Sequence, residues 1–289
     1  MKKLFTAAVT ATFLVVLAMQ AVPAQAQNAF DIEKATYDNV MLDVGEYTDD
    51  TRYVEFKPDG TRMYVVGRST MNIVEFNLNS PWDLSSAEYV REFDLSGELG
   101  TKVASPRPQG LFINKENGQD MIVVNRLEIF QYRMSEPWDI TTAEVTGHVD
   151  MRVPTSRIQG ITVSPDGLFL YIDDRENGYV YQFEMNIIWD IESLTLRYIL
   201  DFKEEHRDTR GNDISSDGER LFVLDRTRRQ VLYFDLQEPW NIRNADFKGY
   251  FWVARQSPEP VAMRWNPEGN RFFVVCARNN RIFQYSIKE

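Results

Sequence analysis

The sequence predicts an all-β protein: a five-bladed β-propeller of four-stranded antiparallel blades, closed by the N-terminal strand completing the last blade. Three observations lead there. A tight-turn signal recurs with a period near 50 residues, a tryptophan tripeptide keeps the same clock, and the first segment after the N-terminal leader resembles the tail of each repeat.

The turn signal is "KPDG" at 57–60, "SPDG" at 164–167, "SSDG" at 215–218 and "NPEG" at 266–269, with a looser copy "NKENG" at 114–118. The closing glycines lie 58, 49, 51 and 51 residues apart. Each turn is entered by an alternating segment such as "GITVS" and left by a β-rich run such as "MYVVGR" or "LFVLDR", then by a third run such as "EIFQYRM". Short β-rich runs broken by Gly, Pro, Asn and Asp are strands joined by turns, and outside the leader no amphipathic helical period is found. Four strands in about 50 residues is one propeller blade.

The tripeptide appears as "PWD" at 81–83 and 137–139, "IWD" at 188–190 and "PWN" at 239–241, its tryptophans spaced by 56, 51 and 51 residues. "NAFDIEKATYDNVMLDVG", from Asn28, aligns with "SPWDLSSAEYVREFDLSG", from Ser80, so that Phe30 stands for Trp82 and Asp31 for Asp83. The last unit stops at Glu289 after its third strand. The N-terminal segment therefore supplies the missing fourth strand and leaves no open sheet edge. The expected blades are approximately 45–96, 97–149, 150–200, 201–251, and 252–289 with 28–44, in one domain over 27–289.

Residues 1–26 are expected to be a secretory signal peptide: Lys2 and Lys3, an apolar run from Leu4 to Val22, and the small residues Ala24 and Ala26 at the cleavage site. Secretion or a periplasmic location follows, with no membrane attachment after cleavage. The chain carries 43 acidic against 32 basic residues, a net charge of −11, which argues against nucleic acid and anionic membranes as partners. Cys276 is the only cysteine, so no intramolecular disulfide forms, and its setting in "FFVVCAR" is that of a buried small hydrophobe.

The "PDG...LYV...IYQY" pattern resembles the YVTN and lactonase-like propeller repeats, and the "YxLSxPWD" variant is similar to repeat proteins common in marine bacterial and phage sequences. The resemblance runs over the whole chain after the leader. It implies the propeller fold and leaves the activity open, because propellers host hydrolases, lectins and interaction scaffolds alike.

A residue present in every blade is explained by packing before function. Trp82, Trp138, Trp189 and Trp240 are expected to wedge between adjacent blades, with the aspartate capping the next turn, so the tripeptide is read as a joint in preference to an exposed sugar platform. Arg68, Arg126, Arg175, Arg226 and Arg278 fall eight or nine residues after the turn glycine and are expected to ring one mouth of the channel. Pairing with acidic residues or carbonyls of neighbouring blades is favoured there over an anion-recognising ring.

Function should sit where the blades differ. Before each inner strand stand Asp50, Arg107, Arg157, Asp208 and Glu259, and two residues on come Arg52, Gln109, Gln159, Arg210 and Val261. With the arginine ring these form the candidate ligand-binding face. Deeper along the inner strands come Glu55, Phe112, Thr162, Asp213 and Arg264. Glu55 and Asp213 invite a glycosidase reading, but an arginine beside both is expected to hold them ionised and deny either a raised pKa. His148 and His206 are too few for a metal cluster, and "DDRENG" at 173–178 lacks the ligand spacing of calcium loops.

The leading expectation is a non-enzymatic binding or interaction propeller without a cofactor, taking an unknown protein, a glycan or a small anionic ligand on the charged face. The alternative is a lactonase-like or glycoside hydrolase centred on the channel, holding calcium or another divalent ion. An oligomerising envelope component is the third.

Overall fold

The computed structural model describes residues 29–288 apart from 98, 100–105, 153 and 203–207, so the expected signal peptide lies outside the described residues. The twenty strands form five separate four-stranded antiparallel sheets, each running from an inner to an outer strand. Blade 1 is β2 (Thr51–Phe56), β3 (Arg62–Gly67), β4 (Asn72–Leu78) and β5 (Ala87–Asp94). Blade 2 is β6 (Pro108–Ile113), β7 (Asp120–Asn125), β8 (Glu128–Met134) and β9 (Ala143–Asp150). Blade 3 is β10 (Ile158–Val163), β11 (Phe169–Asp174), β12 (Tyr179–Met185) and β13 (Leu194–Asp201). Blade 4 is β14 (Thr209–Ile214), β15 (Arg220–Asp225), β16 (Gln230–Asp235) and β17 (Asp246–Trp252).

Blade 5 is split in sequence. Its inner three strands are β18 (Pro260–Trp265), β19 (Arg271–Cys276) and β20 (Arg281–Ile287), and its outer strand is β1 (Ala35–Asp43). Strand β1 runs antiparallel to β20 from Ala35 opposite Ile287 to Asp43 opposite Arg281. The five sheets and the closure by the first strand are those the repeat pattern predicts.

The tripeptide is a joint with a repeated geometry. Each turn glycine has a positive φ, from 65° at Gly118 to 78° at Gly218, as the left-handed corner of the turn requires. The aromatic that follows packs against it: a Cβ on Gly60 would lie 2.4 Å from Trp82 Nε1, and one on Gly269 2.5 Å from the Phe30 ring. Phe30, Trp82, Trp138, Trp189 and Trp240 are themselves left-handed, with φ between 59° and 63°. Their backbone N–H groups donate to the carbonyl of the turn glycine, Trp82 to Gly60 at 3.0 Å and Trp240 to Gly218 at 2.9 Å.

The preceding blade then takes hold of the same residue's carbonyl. Arg271 of blade 5 donates to Trp82 O at 2.6 Å, Arg62 of blade 1 to Trp138 O at 3.0 Å, and Gln131 of blade 2 to Trp189 O at 2.6 Å. Gln182 of blade 3 donates to Trp240 O at 3.0 Å and Arg220 of blade 4 to Phe30 O at 3.0 Å. Asp83, Asp139, Asp190 and Asn241 cap the short 3-10 turns that follow, whereas Asp31 makes no side-chain cap. One strained aromatic per blade thus serves both a turn and an inter-blade bond, and in blades 1 to 4 the residue after it caps the next turn, which is why the sequence repeats the pair.

The inner strands line the axis and carry the same bulge in every blade, between Thr51 and Tyr53 in blade 1 and at the matching position elsewhere. Just past the bulge stand Tyr53, Gly110, Gly160, Gly211 and Ala262. A Cβ on Gly160 would fall 2.6 Å from Gly211 Cα, so adjacent inner strands approach too closely for a side chain there. Blade 5 fits only the methyl group of Ala262 there, and in blade 1 Tyr53 occupies the axis, fully buried.

Candidate functional site

The two ends of the axis are chemically different. At the end where the inner strands begin, the structure brings together the arginines read from the sequence. Arg68 pairs with Asp50 and so does Arg52; Arg175 reaches Asp208 of the next blade at 3.3 Å. Arg226 bridges Asp208 at 3.1 Å and Glu259 of blade 5, and Arg210 donates to Asp208 and to Gln159. Arg157 pairs with Glu176 at 3.2 Å. Burial lowers Arg52 and Arg210 to about 10, their aspartates offsetting part of the loss. Arg107, Arg126 and Arg278 hold no ion pair among the described residues. Gln109 is buried with only its own-loop contact, to Arg107 O at 3.2 Å. A polar cavity of about 360 Å³ opens here between Asp208, Arg226, Glu259 and Arg278.

At the opposite end, where the inner strands run into the tight turns, lies a second cavity of about 300 Å³ with largely apolar walls. Phe30, Trp82, Trp189 and Trp240 contribute to the wall, with Trp265, Phe56 and Phe112 below them. Trp82 is 8% exposed, while Trp189 and Trp240 are half-buried. The residues read as joints are therefore also the wall of a pocket, which the repeat pattern does not foretell. Trp138 is absent from the lining, because in blade 2 the turn carries Lys115 and Glu116 over the opening. The other four blades place Pro58, Pro165, Ser216 and Pro267 where Lys115 stands.

The floor of this cavity is a charge network drawn from the positions that differ between blades. Arg264 donates to Glu55 Oε2 at 3.0 Å, to Asp213 Oδ1 at 2.8 Å, to Thr162 Oγ1 at 3.1 Å and to Ile161 O at 3.0 Å. Its guanidinium also lies 5.2 Å from the Tyr53 ring centre and 5.7 Å from that of Phe112. Lys115 Nζ bonds Glu55 Oε1 and donates to Phe56 O at 2.7 Å, above the Phe112 ring at 5.3 Å. Burial pulls Lys115 down from the usual lysine range, Glu55 opposing it, and about a third of its side chain (34%) still faces the cavity.

Arg264 stands beside both Glu55 and Asp213, as the sequence indicates. The expectation that neither carboxyl has a raised pKa does not hold for Asp213. Burial raises it more than Arg264 and the Trp265 N–H, which donates to Oδ2 at 2.7 Å, bring it down. Both Asp213 oxygens are committed all the same, since Ile214 N–H shares Oδ1 with Arg264 at 3.0 Å.

Of the remaining candidates, Cys276 is buried in β19. In "DDRENG" the Asp174 carboxylate accepts from Ser156, Arg157 and Asn177, which leaves it organising its own loop. His206 lies outside the described residues, and His148 packs on Phe130 at 4.5 Å. Among the described residues no group of three or more His, Cys, Asp and Glu side chains converges on a point. Lys115 is the functional residue that sequence reasoning passed over. Its signal was available: blade 2 has the one turn longer by a residue, with a lysine where others have proline or serine.

No protein-family model matches the sequence, and no curated protein matches it. Solved structures do match. The periplasmic gluconolactonase of Pseudomonas aeruginosa aligns at 17% identity and a TM-score of 0.51, over 81% of this chain and 65% of that one. A putative 6-phosphogluconolactonase of Bacteroides uniformis aligns at 18% and 0.50, over 82% and 66%. The β-propeller domain of Myceliophteria thermophila Cps50 aligns at 9% and 0.50, over 88% of this chain and 100% of that domain. The chain spans just under two thirds of the length of the gluconolactonase and of the putative 6-phosphogluconolactonase. At these identities the likeness is one of fold, and it places the chain among β-propellers that include lactonase-like members.

Proposed function

We propose that the protein is a non-enzymatic ligand-binding propeller whose site is the aromatic-walled cavity at the turn end of the axis. One observation carries this reading: the fivefold repetition breaks at Glu55, Phe112, Thr162, Asp213, Arg264 and Lys115, and all six gather at one cavity. A volume of about 300 Å³ lies at the lower end of the range, roughly 300–1,000 Å³, in which small ligands are held. At the arginine end, by contrast, six of the nine arginines are held in ion pairs, sharing Asp50, Asp208, Glu259 and Glu176. The export signal read in residues 1–26 supports action in the periplasm or outside the cell.

A thermal-shift screen of small neutral and charged compounds tests the reading. Binding is expected to be lost in Lys115→Met and retained in the double variant Arg126→Gln, Arg175→Gln. The opposite pattern would move the site to the arginine end.

Hydrolysis at Glu55 and Asp213 is the second reading, and the raised Asp213 carboxyl favours it, as does the fold likeness to a gluconolactonase and a putative 6-phosphogluconolactonase. Against it stands the full hydrogen-bond complement of both carboxylates. Turnover of a lactone or glycoside that disappears in Asp213→Asn would establish it in place of simple binding.

A further inference from the structure

We infer that the ligand of the aromatic-walled cavity is an uncharged sugar ring, held against Trp189 and Trp240 and hydrogen-bonded by Lys115. The inference rests on the cavity being the binding site and adds the ligand's chemical class.

Charge comes first. The floor holds two cations, Arg264 and Lys115, and two anions, Glu55 and Asp213, and they bond one another. Nothing on the floor is left to neutralise a charged ligand, which would lose its hydration on entry without gaining a counter-ion. Glu116, exposed at the rim, adds a further penalty for anions.

Shape comes second. The aromatics around the opening are fixed by their own backbones: each sits at a left-handed φ, bonded to its turn glycine, with its carbonyl held by the preceding blade. Rings locked in this way lose little entropy on binding. They offer flat apolar surface to the C–H face of a saturated ring, a contact that suits sugars. Trp189 stacks on Phe112 at 6.1 Å and 26°, and Lys115 Nζ lies 5.3 Å from the centre of the same Phe112 ring.

Hydrogen bonding comes third. An ammonium has three N–H donors. Glu55 and Phe56 O take two of those of Lys115, which leaves one to offer a ligand oxygen in the cavity that Lys115 and Trp189 both line. A hydroxyl accepts it without disturbing the charge balance below.

The test is calorimetric titration of the protein with neutral methyl glycosides and short neutral oligosaccharides, with the corresponding uronic acids and amino sugars, and with 2-naphthol as a neutral apolar probe. Saturable binding of a neutral sugar is expected, with charged counterparts at least tenfold weaker. Lys115→Met should weaken it at least tenfold. Ser216→Phe, which fills the cavity from an exposed turn position, should abolish it while leaving the melting temperature near wild type. Charged sugars binding as well as neutral ones, an unaffected Lys115→Met, or Ser216-sensitive binding of 2-naphthol with no sugar bound would each overturn the sugar assignment and leave the cavity standing. If Ser216→Phe alters the binding of no probe at all, the cavity reading falls with it.

Discussion

Tyr53 and Ile161 bond in both directions across the propeller axis: the phenol donates to the Ile161 carbonyl at 2.5 Å and accepts from the Ile161 N–H at 3.2 Å. They belong to blades 1 and 3, which are not neighbours. The same hydroxyl accepts from Arg264 of blade 5 at 2.9 Å. Three blades are thereby tied at one oxygen, and the axis is blocked between its two ends. Burial keeps Tyr53 a phenol well above the ordinary tyrosine range, although Arg264 pulls the other way.

Tyr53→Phe removes this knot while preserving the ring. The Ile161 N–H loses its acceptor in a buried place, and we expect a loss of about 1–3 kcal/mol in denaturant unfolding. Unchanged stability would show that the cross-axis bond contributes nothing net.

Arg264→Met leaves Glu55 and Asp213 facing each other without their shared cation. Removing one partner from a buried ion network typically costs about 3–5 kcal/mol. Adding Asp213→Asn to this variant should recover much of the loss, since Glu55 keeps Lys115 as its partner and the charge left behind is what destabilises. A double variant no more stable than the single one would mean that packing, and not charge, is what Arg264 supplies.

Gly167→Ala tests the joint. Its φ is +71°, and the new Cβ would fall 2.3 Å from Trp189 Nε1. Backbone strain and the clash together should lower stability by about 2 kcal/mol or more and change the Trp189 fluorescence. A neutral outcome would show that the indole can swing away from its turn, and the preorganised wall with it.

Asp173 gives the fold a pH dependence. It is fully buried between blades 3 and 4, accepting from Asn212 at 3.0 Å, and burial raises it to about 7. In the unfolded chain the carboxyl titrates near its ordinary value of about 4, so between these limits the folded state binds more protons. Its contribution is complete below about pH 4 and is lost as the pH rises through 7, an effect on the order of a few kcal/mol. Asp173→Asn should flatten the stability profile between pH 5 and 8, measured by urea unfolding across that range. An identical slope in both proteins would place the raised carboxyl elsewhere.

The architecture was legible because a propeller writes its period into the chain. The glycines at 60, 118, 167, 218 and 269 each need a left-handed turn, the aromatic that follows packs on that glycine, and Phe30 answers Gly269 from the other end of the chain. Candidate positions along the inner strands were likewise readable, since alternation tells which side chains share a level, and Arg264 meets Glu55 and Asp213 as that counting implies. What the pattern could not convey is reach. Lys115 crosses from its own turn to Glu55 of the neighbouring blade, and Tyr53 spans the axis, because long side chains choose partners by space and charge at a distance no period records. The loops that carry the arginines were readable from the same period, whereas the ion pairs among them were not.

The pairing of β1 with β20 also sets the order in which the molecule can be completed. The segment made among the first must wait, unpaired, until the last strand has been synthesised, for Ala35 finds its place only beside Ile287. Four sheets are local in sequence and can assemble as they appear; the fifth joins segments far apart in sequence and bears the largest loop-closure penalty. Until that moment β20 shows a bare edge, so the late intermediate, and not the finished ring, is the species most exposed to aggregation.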